Sequence, residues 1–162
     1  MSTAESLALA RVLHVLGVVL WIGGVAFVTT VLIPAIRRLP DGDERIRLFE
    51  SLEGRFSIQA RVVTLVTGLS GFYMLYGFDA WDRYQDPSFW WVHLMTLVWL
   101  LFTVVLFILE PLFLHRRFRE LAERDSDRAF RILHRGHILL LTLSLIAIIG
   151  AVAGTRGFLR IG

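Results

Sequence analysis

The sequence predicts an all-α integral membrane protein, a four-helix up-and-down bundle, and three observations carry that prediction. The 162 residues are 56% hydrophobic with a mean hydropathy of +0.64, too apolar for an ordinary soluble domain. Four uncharged runs, residues 12–36, 62–78, 87–109 and 136–155, are separated by charged segments. Each is about the length that a helix rising roughly 1.5 Å per residue needs to cross a hydrocarbon core of roughly 30 Å. The arginines, finally, concentrate in two of the three connections between runs. One transmembrane domain over residues 1–162 is expected, with spans of about 7–36, 58–78, 87–114 and 134–156.

The first span reads as a permanent helix. It is too long for the apolar core of a secretory signal, and neither a basic stretch before it nor a cleavage site after it is evident. Asp41 and Gly42 mark a new helix start. Ile46, Phe49 and Phe56 then recur at helical spacing among charges, the pattern of an amphipathic lead-in to span two. Ile58 and Arg61 extend that span, since an arginine near a helix end can snorkel to the interface. Tyr73, Tyr76, Trp81, Tyr84, Trp90 and Trp91 gather at the adjoining ends of spans two and three, as amphipathic rings do at a headgroup boundary. Glu110 reaches the other boundary, where Pro111 bends the helix. Asp125, Ser126 and Asp127 are candidate caps for the lead-in to span four. Ser144, Ala147, Gly150, Ala151 and Gly154 give that span a small-residue face, suited equally to packing within the chain or to a homodimer. Gly68 and Gly71 suit close packing in span two.

Charge placement sets an expected orientation. Arg37, Arg38, Arg45, Arg47 and Arg55 lie between spans one and two, and seven arginines from Arg116 to Arg135 lie between spans three and four. The segment 79–86 has only Arg83. By the positive-inside rule the two arginine-rich connections face the cytoplasm of a bacterial inner membrane and both termini face outward, with anionic lipid headgroups as partners. The sequence pI of 10.2 thus needs no nucleic acid to explain it, and no aromatic-rich basic fold accompanies the charge. Cysteine is absent, which removes disulfides and thiolate metal sites, and no lysine is present to form a Schiff base.

The candidate chemistry lies in two histidines within the apolar runs. His14 is about the eighth residue of span one and His93 the seventh of span three, so their depths agree within about one turn, roughly 5 Å. Imidazole inside a bilayer is costly and normally meets a partner or cofactor. Spans one and three enter from one side and lie diagonally in an up-and-down bundle, an arrangement in which facing imidazoles could ligate both axial positions of a heme b iron. Helix-to-helix hydrogen bonding or a copper ion are the alternatives. Gly17, Trp21 and Gly24 share the His14 face, where small residues would leave room for a ring. Arg11, one turn from His14, and Arg156, at the far end of span four, could hold heme propionates; snorkelling is the simpler role for Arg11. His115, His134 and His137 form a second group, either a divalent-metal site or interfacial residues. Met95, two residues from His93, cannot share its direction and suits core filling.

The run LHVLGVVLWIGG from Leu13 to Gly24, with the exit Pro34 to Arg38, resembles the first helix of HemJ-type protoporphyrinogen oxidases and of copper-resistance CopD-like proteins. EGRFSIQARVVTLVTG, WVHLM at Trp91 to Met95, and FRILHRGHILLL extend the likeness over nearly the whole chain at low stringency. The resemblance implies heme b at the positions of His14 and His93. It departs at Met95, where the HemJ-type family typically has a lysine, and the methionine-rich segments of a copper path are lacking. The leading expectation is therefore a heme b-binding membrane protein, a b-type cytochrome passing single electrons, with a quinol suggested by location as redox partner. A HemJ-like enzyme oxidising a porphyrinogen, copper transport or binding, and a purely structural bundle are the alternatives.

Overall fold

A computed structural model describes residues 2–154, with the His115 side chain outside the description. Four helices are long and apolar enough to cross a membrane: α1 (Thr3–Ile36), α2 (Gly42–Gly77), α3 (Pro87–Leu114) and, after the short amphipathic helix α4 (His115–Arg124), α5 (Ser126–Gly154). No strand occurs among the described residues. The chain is thus an all-α, multi-pass membrane protein.

Local chemistry sets the boundaries. Ser2 caps α1 through its Oγ, which accepts from the Glu5 N–H, while Glu5 accepts from the Ser2 N–H in return. Asp41 caps α2 by accepting from the Asp43 N–H at 3.0 Å, and α2 then runs unbroken from its amphipathic lead-in into the apolar span. Asp79, in the left-handed region at φ 48°, lets the chain leave α2 while the Ala80 N–H closes back on the Leu75 carbonyl. Asp125 accepts from the Arg128 N–H and starts α5.

Helices α1 and α2 pair antiparallel along their length through glycines. A Cβ on Gly17 would lie 2.3 Å from Thr67 Oγ1, one on Gly24 2.4 Å from the Phe56 ring, and one on Gly77 2.4 Å from Leu7. The second pair, α3 with α5, uses the same device: Gly150 and Gly154 receive the rings of Trp90 and Trp91. The small-residue face of α5 is therefore spent inside the chain, and Trp91, 2% exposed, is a core residue rather than a headgroup ring. The two pairs meet across the centre, where the Trp21 and Phe102 rings pack edge to face at 4.8 Å, with Ala60, Val98, Leu141 and Ala147 around them. A second apolar cluster at the arginine-rich end joins Ile33, Ile36, Phe49 and Phe130, with Phe118 of α4 packed against it.

Both prolines within helices are answered from another helix. Residues 28–32 and 105–114 are π-helical, with N–H groups bonding five residues back. In that register the Thr29 carbonyl would be served by residue 34 and the Leu106 carbonyl by residue 111, and both are prolines without an N–H. His134 Nε2–H of α5 donates to the Thr29 carbonyl at 2.9 Å, and Arg61 Nε–H of α2 donates to the Leu106 carbonyl at 3.0 Å. Arg61 also pairs with Glu110 at 3.1 Å, and Ser57 Oγ–H donates to the same carboxylate oxygen. Arg61 thus turns inward as a clamp, where the sequence suggested snorkelling, and Glu110 is its partner rather than a residue merely reaching the boundary.

Candidate functional site

His14 projects from α1 against α2. Its Nδ1 lies 2.9 Å from the Thr67 carbonyl oxygen. A carbonyl can only accept, so Nδ1 carries the proton and Nε2 of the neutral ring carries a lone pair. The ring fits because position 71 is glycine: a Cβ there would lie 3.1 Å from Cε1 and 3.2 Å from Nδ1.

His93 is placed differently. On α3 the residues facing the core are Trp91, Met95, Val98 and Phe102, and His93 lies with exposed Leu97 and Leu100 on the opposite side. Its Nε2–H donates to the Tyr84 carbonyl at 3.1 Å, and its ring meets the Tyr84 ring edge to face. The expectation that the two imidazoles face one another across the core is corrected here. His14 is turned toward α2 and His93 away from the bundle, toward the segment preceding α3.

The other expected site residues separate in the same way. Gly17 and Gly24 leave no room for a ring, because Thr67 and Phe56 fill the space; they are helix-contact glycines. Trp21 is 4% exposed within the core, and its buried Nε1–H has no hydrogen-bond partner among the described residues. Arg11 is exposed, with its guanidinium 5.6 Å from the Phe78 ring centroid, and it forms no salt bridge among the described residues. Arg156 lies outside the described residues. Met95 packs against the core.

Among the described residues no group of three metal-capable side chains forms. His134 bonds the Thr29 carbonyl, and its Nδ1 accepts from Arg37 Nη1 at 3.5 Å; His137 donates to the Leu133 carbonyl. These two histidines tie helices together or close a turn of their own helix.

The two imidazoles point in different directions and so do not form a facing pair of ligands for one iron. His14 has its second nitrogen oriented by a backbone carbonyl, the arrangement that fixes ring orientation and raises basicity in metal-ligating histidines. His93 is bonded through Nε2 to the Tyr84 carbonyl and lies exposed on the far side of α3, so it does not face His14. Missed by sequence reading were the Arg61, Glu110 and Ser57 clamp and the His134 bond. Part of the signal was present, since Glu110 directly precedes Pro111 and Arg61 begins an apolar run. Compared with protein-family models, curated proteins and solved structures, the chain matches none.

Proposed function

We propose that this multi-pass membrane protein binds heme b through His14 and serves one-electron transfer, with its arginine-rich end in the cytoplasm of a bacterial inner membrane. The observation that carries the reading is the Nδ1–H bond from the part-buried His14 to the Thr67 carbonyl, which orients a ring whose Nε2 has no hydrogen-bond partner among the described residues. A bound heme supplies reversible one-electron exchange.

The chain's own residues have separate tasks. The Thr67 carbonyl holds the tautomer of His14, and Gly71 admits its ring. Arg11, with no salt bridge, offers a guanidinium one turn along α1 toward the N-terminus for a carboxylate. Trp21 and Phe102 close the centre of the bundle beneath, keeping the site on one side of the membrane.

Reduced-minus-oxidised visible spectra of the purified protein test the reading. After expression with ample heme, b-type bands are expected from the wild type and their loss from His14→Ala. A wild type without bands would remove it. Oxidation of a porphyrinogen in the HemJ manner finds less support, since Met95, at the position of that family's lysine, is packed in the core.

A further inference from the structure

In the amphipathic lead-in of α2, before its apolar span begins, Glu50, Glu53 and Ser57 follow one another at spacings of three and four, which sets them along one side of the helix. From that side Ser57 donates to Glu110 of α3. The guanidinium in this group is already spent, since Arg61 donates to both Glu110 and the Leu106 carbonyl. Other charges are engaged elsewhere. Arg119 of α4, which faces Glu50, pairs with Glu123, and Arg45 of α2 pairs with Asp127 of α5. Arg47 and Arg55, exposed on α2, make no salt bridge with any of the three carboxylates. Two carboxyl groups are left without a donor. Glu53 forms no hydrogen bond or salt bridge among the described residues, and Oε1 of Glu50 is buried with no hydrogen-bond partner among them. A proton on Glu53 answers both deficits: it removes a charge that has no cation, and its O–H is a donor one helical turn from the orphaned oxygen.

We propose that Glu53 is a proton-binding site at the arginine-rich end of the bundle, taking a proton from the aqueous side and donating it in a hydrogen bond to Glu50 Oε1. The ligand is a proton and not a metal ion, because no group of three metal-capable side chains forms among the described residues. Glu53 is only partly buried, so water reaches it. One proton passes from water to a carboxylate oxygen and returns; no other bond forms or breaks. Burial, reinforced by Glu110 and then Glu50, pushes the Glu53 carboxyl up to about 7, so the site fills and empties in the neutral range. On emptying, it sets an unpaired negative charge beside the Arg61 clamp that serves the π-helical turn of α3. The folded state favours the acid form of Glu53, so its stabilising contribution is fully present below the ordinary carboxylate range and is lost as pH rises to about 7. None of this requires heme.

The test titrates the full-length protein in lipid nanodiscs across the neutral range, followed by infrared difference spectroscopy in water and heavy water. Wild type is expected to show the C=O stretch of a protonated carboxylic acid, shifted in heavy water and fading with a midpoint of about 7. Glu53→Gln, whose amide N–H can still serve Glu50, is expected to keep the helical content and lose that band. Glu50→Gln removes a negative neighbour, so the midpoint is expected to fall by roughly half a pH unit or more. In sodium dodecyl sulfate unfolding, wild type should lose stability as pH rises toward about 7, and Glu53→Gln should lose less. Absence of the band from wild type, its persistence in a folded Glu53→Gln protein, or an unchanged midpoint in Glu50→Gln overturns the proposal; the wild-type and Glu50→Gln titrations decide it even where Glu53→Gln does not fold.

Discussion

His134→Phe is the substitution whose effect follows most directly from the architecture. The Thr29 residue is 3% exposed, its carbonyl has lost its helical donor to Pro34, and His134 Nε2–H supplies the replacement. Phenylalanine keeps the ring and removes the donor. A buried carbonyl left unpaired costs about 1–3 kcal/mol, and this range is the expected loss of unfolding free energy. Adding Pro34→Ala returns an N–H five residues on from Thr29, so the π-helical turn can close on itself. The double variant should recover more than half of the loss, and Pro34→Ala alone should be close to neutral because His134 already serves the carbonyl. The assay is unfolding by sodium dodecyl sulfate in mixed micelles, read by circular dichroism. If His134→Phe is as stable as wild type, or if Pro34→Ala fails to rescue it, the reasoning is refuted.

Three further outcomes follow from the same contacts. Arg61→Leu removes the donor to the Leu106 carbonyl and the partner of Glu110, whose side chain is 18% exposed; a loss of about 1.5–3 kcal/mol is expected in the same unfolding assay, and the double variant Arg61→Leu with Glu110→Leu should be more stable than Arg61→Leu alone. Gly154→Ala sets a Cβ 2.4 Å from two carbons of the Trp91 ring, so a destabilisation of about 1–3 kcal/mol is expected by thermal melting, relieved when Trp91→Leu is added; equal defects with and without that second change would count against the packing described. Because the chain has no cysteine, single cysteines at Ser2 and Arg117 report orientation cleanly: an impermeant maleimide applied to intact spheroplasts should label the first and spare the second, and the opposite pattern would reverse the proposed topology.

Much of the fold was legible because bilayer length and the cost of buried charge act locally along the chain. The four spans, the caps at Asp41 and Asp125, and the lead-in carrying Ile46 and Phe49 all follow from periodicity and capping chemistry alone. The π-helical turns were not legible. They depend on a donor arriving from another helix, and Pro34 or Pro111 by itself signals only a bend. The glycines of α5 were legible as contact sites but not by partner: Gly150 and Gly154 receive tryptophan rings, where a helix backbone or a second copy fitted the pattern as well, while Gly17 and Gly24 of α1, read as room for a ring, are helix contacts instead.

The candidate site shows the same division. Counting residues from the span ends gives His14 and His93 a common expected depth, but depth says nothing of rotation about the helix axis. At about 100° per residue, assigning Met95 to the core already places His93, two positions away, on the far side of α3. Trp91 and Val98 confirm that assignment in the structure, since both are buried. The two histidines therefore separate, one beside α2 and the other against the segment preceding α3.

The most direct measurement of the central claim compares reduced-minus-oxidised visible spectra of wild type, His14→Ala and His93→Ala, each purified after expression with ample heme and matched for helical content. The account predicts b-type bands of similar intensity in wild type and His93→Ala and none in His14→Ala. Loss of the bands in His93→Ala as well, or their persistence in His14→Ala, would contradict it.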